Sequence, residues 1–241
     1  MENSPYTPSA ASLAVPSRIV LEHAGSGFRN LNGLTGKLSM LLLVGVGWRI
    51  LGLVSSLLQL NLLSHRPYSL AQAHANDLRE RSVHLGELVL FLITAFVFGR
   101  WIYLAHKNLP ELGARLLHFS PGWSVGSFFV PILSWWAPYQ AMRDLAKASR
   151  SPVRWDLEDT SAVIVLWWIL WVLVQLLDNG VFRSSFRAHT VQQFQELTAM
   201  DLVGGALSVP LYLLALYIVR RIWRDQAENY EQMINAQVAG R

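Results

Sequence analysis

Few residues in this 241-residue chain have the type and spacing to carry chemistry. Cysteine is absent, which removes disulfides, thiolate nucleophiles, iron–sulfur ligation and cysteine-based zinc sites together. Gly122-Trp123-Ser124-Val125-Gly126 has the G-x-S-x-G spacing that in hydrolases holds a serine on a strained strand-to-helix turn. No strand pattern precedes it and His118 is the only histidine nearby, so a tight glycine turn is expected there, not a nucleophile. Seven histidines could serve a metal or haem. His84 and His106 stand about 33 Å apart by helical rise and cannot share an ion. His84 and Glu87 form an i, i+3 pair with no third ligand identified, so no metal and no cofactor are expected.

Arg49 is the charge that asks for an explanation. It falls about 17 Å along an apolar run, where an unpaired cation costs at least ~3 kcal/mol on insertion scales. It must face the interior of a bundle, marking a functional cavity or bonding structurally to carbonyls or Gln175. Glu87, Asp178 and Asp201 are expected near the outer ends of their segments, too shallow to be its direct partners.

The elements around these residues are set by composition. With 52% apolar residues, 15% charged and a mean hydropathy of +0.30, the chain is too apolar for a soluble enzyme or a disordered protein. Four runs match the roughly 20 residues needed to cross a bilayer: 38–63, 85–103, 161–177 and 202–219. The fold expected is all-α, a polytopic membrane domain over 38–223 with four transmembrane helices. Residues 1–37 read as a flexible tail, 64–84 as a hydrophilic loop and 224–241 as a cytoplasmic tail able to continue as an amphipathic helix. Gly45, Gly47 and Gly52 would let a neighbouring helix approach, and Gly204, Gly205 and Pro210 mark an expected kink.

Residues 122–139 are apolar enough to enter a membrane but are broken by Pro131 and Pro138, which lack amide donors. If this piece does not cross, 14 Lys and Arg lie on the side of the N-terminus against 5 opposite; if it crosses, the tallies are 8 and 11. The positive-inside rule therefore favours four spans, cytoplasmic N- and C-termini and a Pro-broken re-entrant or interfacial hairpin over about 110–148, between spans two and three. Within it Pro110 is expected to open a short helix through His118, with Leu112, Leu116 and Leu117 on one side. Pro138 is expected to open another, carrying Met142 and Leu145 inward and Arg143, Lys147 and Arg150 toward the headgroups. Trp101, Trp123, Trp135, Trp136, Trp155 and Trp223 all fall at that interface.

The stretch from Phe98 to Ser149 also carries a resemblance. It contains Arg100 and Trp101, the Asn108-Leu109 step, Ser120-Pro121-Gly122-Trp123, Phe129 with Pro131-Ile132, Pro138-Tyr139-Gln140, and the pair Arg143-Asp144. This pattern resembles the bacterial membrane family catalogued as domain of unknown function 4328. It departs from that pattern at Phe128, where tryptophan is usual, and at Ser134, where asparagine is usual. The resemblance implies a protein of the bacterial cytoplasmic membrane and implies no activity.

The net charge of +4 and pI near 9.6 do not indicate nucleic acid, because the basic residues flank apolar runs and no groove-reading or stacking fold is present. The function expected is a non-catalytic scaffold, regulatory or sensor subunit whose hairpin binds membrane lipid, with anionic headgroups drawn to the central basic region, or a protein partner. The candidate residues are Arg49, Arg100, Trp101, Asn108, Pro121, Gly122, Trp123, Pro131, Pro138, Tyr139, Arg143 and Asp144. The alternative is a small oligomeric transporter or channel with a cavity around Arg49 and the Pro131 segment. An intramembrane or lipid-modifying enzyme built on Ser124 comes last.

Overall fold

The computed structural model describes residues 27–65 and 67–239. They form six α-helices: α1 (Asn32–Ser64), α2 (Leu70–Asn108), α3 (Pro121–Gly126), α4 (Ala137–Arg150), α5 (Ala162–Ser185) and α6 (Val191–Ala239), with no strand among the described residues. Helices α1, α2, α5 and α6 are long and apolar enough to cross a membrane. Short 3-10 turns at Pro110–Leu112, Leu133–Trp135 and Pro152–Leu157 join the pieces between α2 and α5.

Side-chain bonds fix the register. Thr35, Trp48 and Gln59 of α1 meet Trp101, Val83 and Asn76 of α2, while Ser39, Ser56 and Gln59 meet Arg220, Asp201 and Thr198 of α6. Numbers rise on α1 as they fall on its neighbours, so both pairs are antiparallel. Ile164 and Trp167 of α5 join Ile218, Val219, Trp101 and Met142 in one apolar core. The end of α2 and the start of α5 therefore lie at the same end of the bundle, and residues 109–161 leave and return there. We call this the hairpin end.

The apolar core is accompanied by an apolar exterior and by small polar groups between the helices, unlike a water-soluble bundle. Met40, Ile50, Val54, Leu88, Phe96 and Ile169 point outward at 49–72% exposure, while Ser55, Ser56, Asn76, Thr94, Thr198 and Ser208 are buried. Outward apolar side chains suit hydrocarbon, and inward small polar ones let helices approach and bond across.

Several boundaries differ from expectation. Helix α1 begins at Asn32, inside the stretch read as a tail; the remainder of that tail through residue 26 lies outside the described residues, as do Arg18, Arg66 and Arg241 of the charge tally. The loop expected over 64–84 is helical from Leu70. Ser69 caps α2 reciprocally with Gln72, and each side chain meets the other's amide at 3.2 and 2.8 Å, which offsets the polar sequence that follows. Helix α6 runs unbroken through Pro210 to Ala239, carrying the C-terminal segment onward as a helix.

In the hairpin, Pro138 opens α4 as expected, and Met142 and Leu145 are buried. The helix expected from Pro110 through His118 does not form. It stops after one 3-10 turn because Gly113 takes a left-handed conformation (φ 94°) and Leu116 also has positive φ, with its side chain 93% exposed.

Candidate functional site

Two polar centres stand out, one midway along the bundle and one at the hairpin end. At the first, Arg49 Nη1 lies 2.7 Å from Glu87 Oε1 and Nη2 lies 3.9 Å from Asp178 Oδ2. This corrects the expectation that both carboxylates are too shallow. Because α2 starts at Leu70, Glu87 sits about 25 Å inside its helix, and α5 runs past Asp178 to Ser185. Gln175 is not bonded to Arg49 among the described residues; its carbonyl accepts Asn179 Nδ2 at 2.7 Å. Arg49 Nε is buried without a hydrogen-bond partner there.

Glycines shape this centre. A Cβ on Gly45 would stand 2.8 Å from the Tyr212 ring, and one on Gly204 would stand 3.4 Å from Asp178 Oδ1. Of the three glycines expected to admit a neighbour, Gly45 does so, Gly52 is in ordinary contact with Val83 and Gly47 has open space. A Cβ on Gly86 would collide with the Trp48 indole, and one on Gly205 would stand 2.9 Å from Leu53.

Polar pairs continue from Arg49 toward the end opposite the hairpin. Arg79 donates to Ser55 Oγ at 3.0 Å and Asn76 Oδ1 at 2.6 Å, Ser55 donates to Glu80 at 2.7 Å, and Ser56 donates to Asp201 at 2.8 Å. His84 lies 3.6 Å from Glu80 and 4.0 Å from Glu87, and no group of three or more His, Asp or Glu converges as a metal ion requires among the described residues.

At the hairpin end most motif residues hold structure. Trp101 is fully buried and donates to Thr35 Oγ1 at 2.9 Å. Asn108, also fully buried, accepts from Arg29 N and donates to Arg29 O, both at 2.9 Å, and donates to Gln226 Oε1 at 3.2 Å. Gln226 in turn donates to Ala105 O and Ser149 Oγ, each at 3.0 Å. Asp144 pairs with His118 Nδ1 and with Arg143, each at 2.9 Å, and Arg143 lies 5.9 Å over the Tyr139 ring. Arg143 thus bonds inward where headgroup contact was expected.

Ser120 caps α3 by accepting from Trp123 N, and Pro121 occupies its first turn. Ser124 is fully buried and its hydroxyl donates to Pro121 O at 2.8 Å, so the G-x-S-x-G serine secures a helical turn. Pro138 is buried at the start of α4; Gly122 has open space around it, and Pro131 and Arg100 are exposed. Val125 packs on Gly99 of α2, where an added Cβ would meet it at 3.3 Å.

The six tryptophans divide. Trp101 and Trp155 are buried and bonded, Trp155 to Arg115 O at 2.9 Å, and Trp223 stacks on Phe28. Trp123, Trp135 and Trp136 stand 45–50% exposed beside Phe129 and Ile132 at 79% and 72%. The structure thus divides the sequence candidates at this end into buried braces such as Trp101, Asn108, Pro138 and Asp144 and exposed residues such as Arg100, Gly122, Trp123 and Pro131, and keeps Arg49 apart from both. Sequence reasoning missed Gln226, which sits in the stretch read as a tail; its i, i+4 spacing from the buried Ile222 was the available signal.

The sequence profile described as Domain of unknown function (DUF4328) matches residues 65–224, about two-thirds of the chain and all of the motif stretch, with α1 outside it. No curated protein and no solved structure matches the chain.

Proposed function

Because the chain belongs to the DUF4328 family, whose description names no activity, we propose a role from its own geometry. It is an integral, multi-pass protein of the bacterial cytoplasmic membrane, and it acts without catalysis. It serves as a scaffold, regulatory or sensor subunit that binds lipid or a protein partner through its hairpin. The observation that carries this reading is the exposure of Trp123, Phe129, Ile132, Trp135 and Trp136 within one short segment, next to braces whose polar groups bond internally.

Support for an interfacial hairpin comes from Val125 meeting Gly99, close to the polar end of α2. The excess of Lys and Arg on the hairpin side favours cytoplasmic N- and C-termini. The test is quantitative affinity purification from native membranes, comparing the unchanged chain with Trp135→Ala/Trp136→Ala. A specific protein or lipid that co-purifies with the first and is depleted with the second is the expected result; equal recovery, or background alone in both, would overturn the role.

A second reading is supported by the Arg49 centre, since a cation between two carboxylates inside a spanning bundle is a default functional site. A small oligomeric transporter or channel would use it without the Pro131 segment, which follows the Val125 contact at Gly99, about 18 Å along α2 from Glu87. Solute flux into proteoliposomes that is lost in Arg49→Ala would establish this reading, and flux unchanged by that substitution would remove Arg49 from it.

A further inference from the structure

The seam between α1 and α6 opens at the hairpin end into a groove of about 770 Å3 that the proposed hairpin role does not use. Its floor is Met40, Leu43 and Val44 of α1, which stand 43–68% exposed. Its mouth is Arg220, Trp223 and Arg224 of α6. The antiparallel register places Arg220 level with Ser39, to which its Nε donates at 3.1 Å, and Arg224 one turn nearer the polar end. Met40, Leu43 and Val44 run the other way, into the part of α1 whose outer face is apolar. Charge therefore sits at one end of the groove and hydrocarbon at the other.

Among the described residues neither arginine of the mouth has a counter-charge. Among the described residues no carboxylate forms an ion pair with Arg220 or Arg224, whereas Arg221 between them is held by Asp225 at 3.0 Å. The bond to Ser39 holds the Arg220 guanidinium against α1, where its side chain lines the groove.

We propose that this groove binds one anionic phospholipid, with the phosphate between Arg220 and Arg224, Trp223 at the headgroup boundary and an acyl chain along Met40, Leu43 and Val44. A phosphate meets both requirements of the mouth, negative charge and several acceptors for planar donors. An acyl chain suits the floor because Met40, Leu43 and Val44 are exposed and apolar. A helix from another chain would have to supply two carboxylates at this depth to neutralise the same pair. No hairpin residue takes part, so the inference stands or falls apart from the hairpin role.

The test uses the full chain with the photo-reactive residue p-benzoylphenylalanine at Met40, in nanodiscs of phosphatidylcholine doped with phosphatidylglycerol. After irradiation, intact-mass analysis reads which molecule is attached. The expected result is a phosphatidylglycerol adduct enriched about tenfold over its share of the bilayer, falling toward the bulk ratio in Arg224→Gln and retained in Arg224→Lys. Arg224→Gln is a fair probe of the site because Arg224 makes no hydrogen bond or ion pair in the fold among the described residues. Arg183→Gln/Arg187→Gln, at the opposite end of the bundle, is expected to leave the enrichment unchanged. Adducts at the bulk lipid ratio, a cross-link to residues 1–26 of the same chain, or a cross-link to a second copy would each overturn the proposal.

Discussion

Arg49 is shared by two carboxylates, so removing its charge strands Glu87 and Asp178 inside the bundle. Arg49→Met is expected to lower stability by roughly 3 kcal/mol, and Arg49→Met/Glu87→Leu by less than Arg49→Met alone, because breaking one side of a buried pair costs more than replacing both. Apparent melting temperatures in one detergent check this; a double variant weaker than the single would contradict it. At the hairpin end, Asn108→Ala leaves the buried Gln226 Oε1 without its partner and is expected to cost about 1–3 kcal/mol. Ser124→Ala loses one hydroxyl-to-carbonyl bond and is expected to cost about 1 kcal/mol or less. The same melting measurement separates the two. Arg49 was legible as a residue needing partners, because its position in an apolar run is visible in the sequence. The partners were not legible, because their depth depends on where α2 begins, and that is set by the Ser69–Gln72 cap and not by hydropathy.

Among the elements, two glycine contacts set how closely helices approach. Gly86→Leu is expected to drive Trp48 off its bond to Val83 O and to cost about 1–3 kcal/mol by overpacking. Gly99→Leu pushes against Val125 and is expected to loosen α3 from α2, whereas Gly122→Ala, with nothing within 4 Å, is expected to be silent. Limited proteolysis of residues 113–136 reads the difference: faster cleavage in the first and unchanged cleavage in the second. The four apolar runs announced four long helices, and the opening of α4 followed from proline at its first turn. The helix expected from Pro110 failed because the apolar spacing of Leu112, Leu116 and Leu117 says nothing of the left-handed turn that Gly113 supplies. Pro210 was read as a kink; α6 remains one helix through it, since a proline removes one amide donor and need not end a spanning helix.

For the whole molecule, apolar side chains on the outside, an apolar core with small polar groups between the helices, and the return of residues 109–161 to the end they left describe a four-helix bundle with one elaborated end. That layout places the DUF4328 motif residues, the exposed aromatic residues and the arginines of the α1–α6 groove at the same end, opposite Ser64 and Ser185. The account depends on this sidedness, and the absence of cysteine makes the chain its own clean background. The deciding measurement introduces single cysteines at Ser64, Ile132, Val153 and Ser185 and labels sealed vesicles from each face with a membrane-impermeant thiol reagent. The predicted result is Ser64 and Ser185 reacting from one face and Val153 only from the other, with Ile132 protected or reacting from the face of Val153. Labelling of Val153 from the same face as Ser64 would contradict the account, since the segment between α2 and α5 would then cross the membrane.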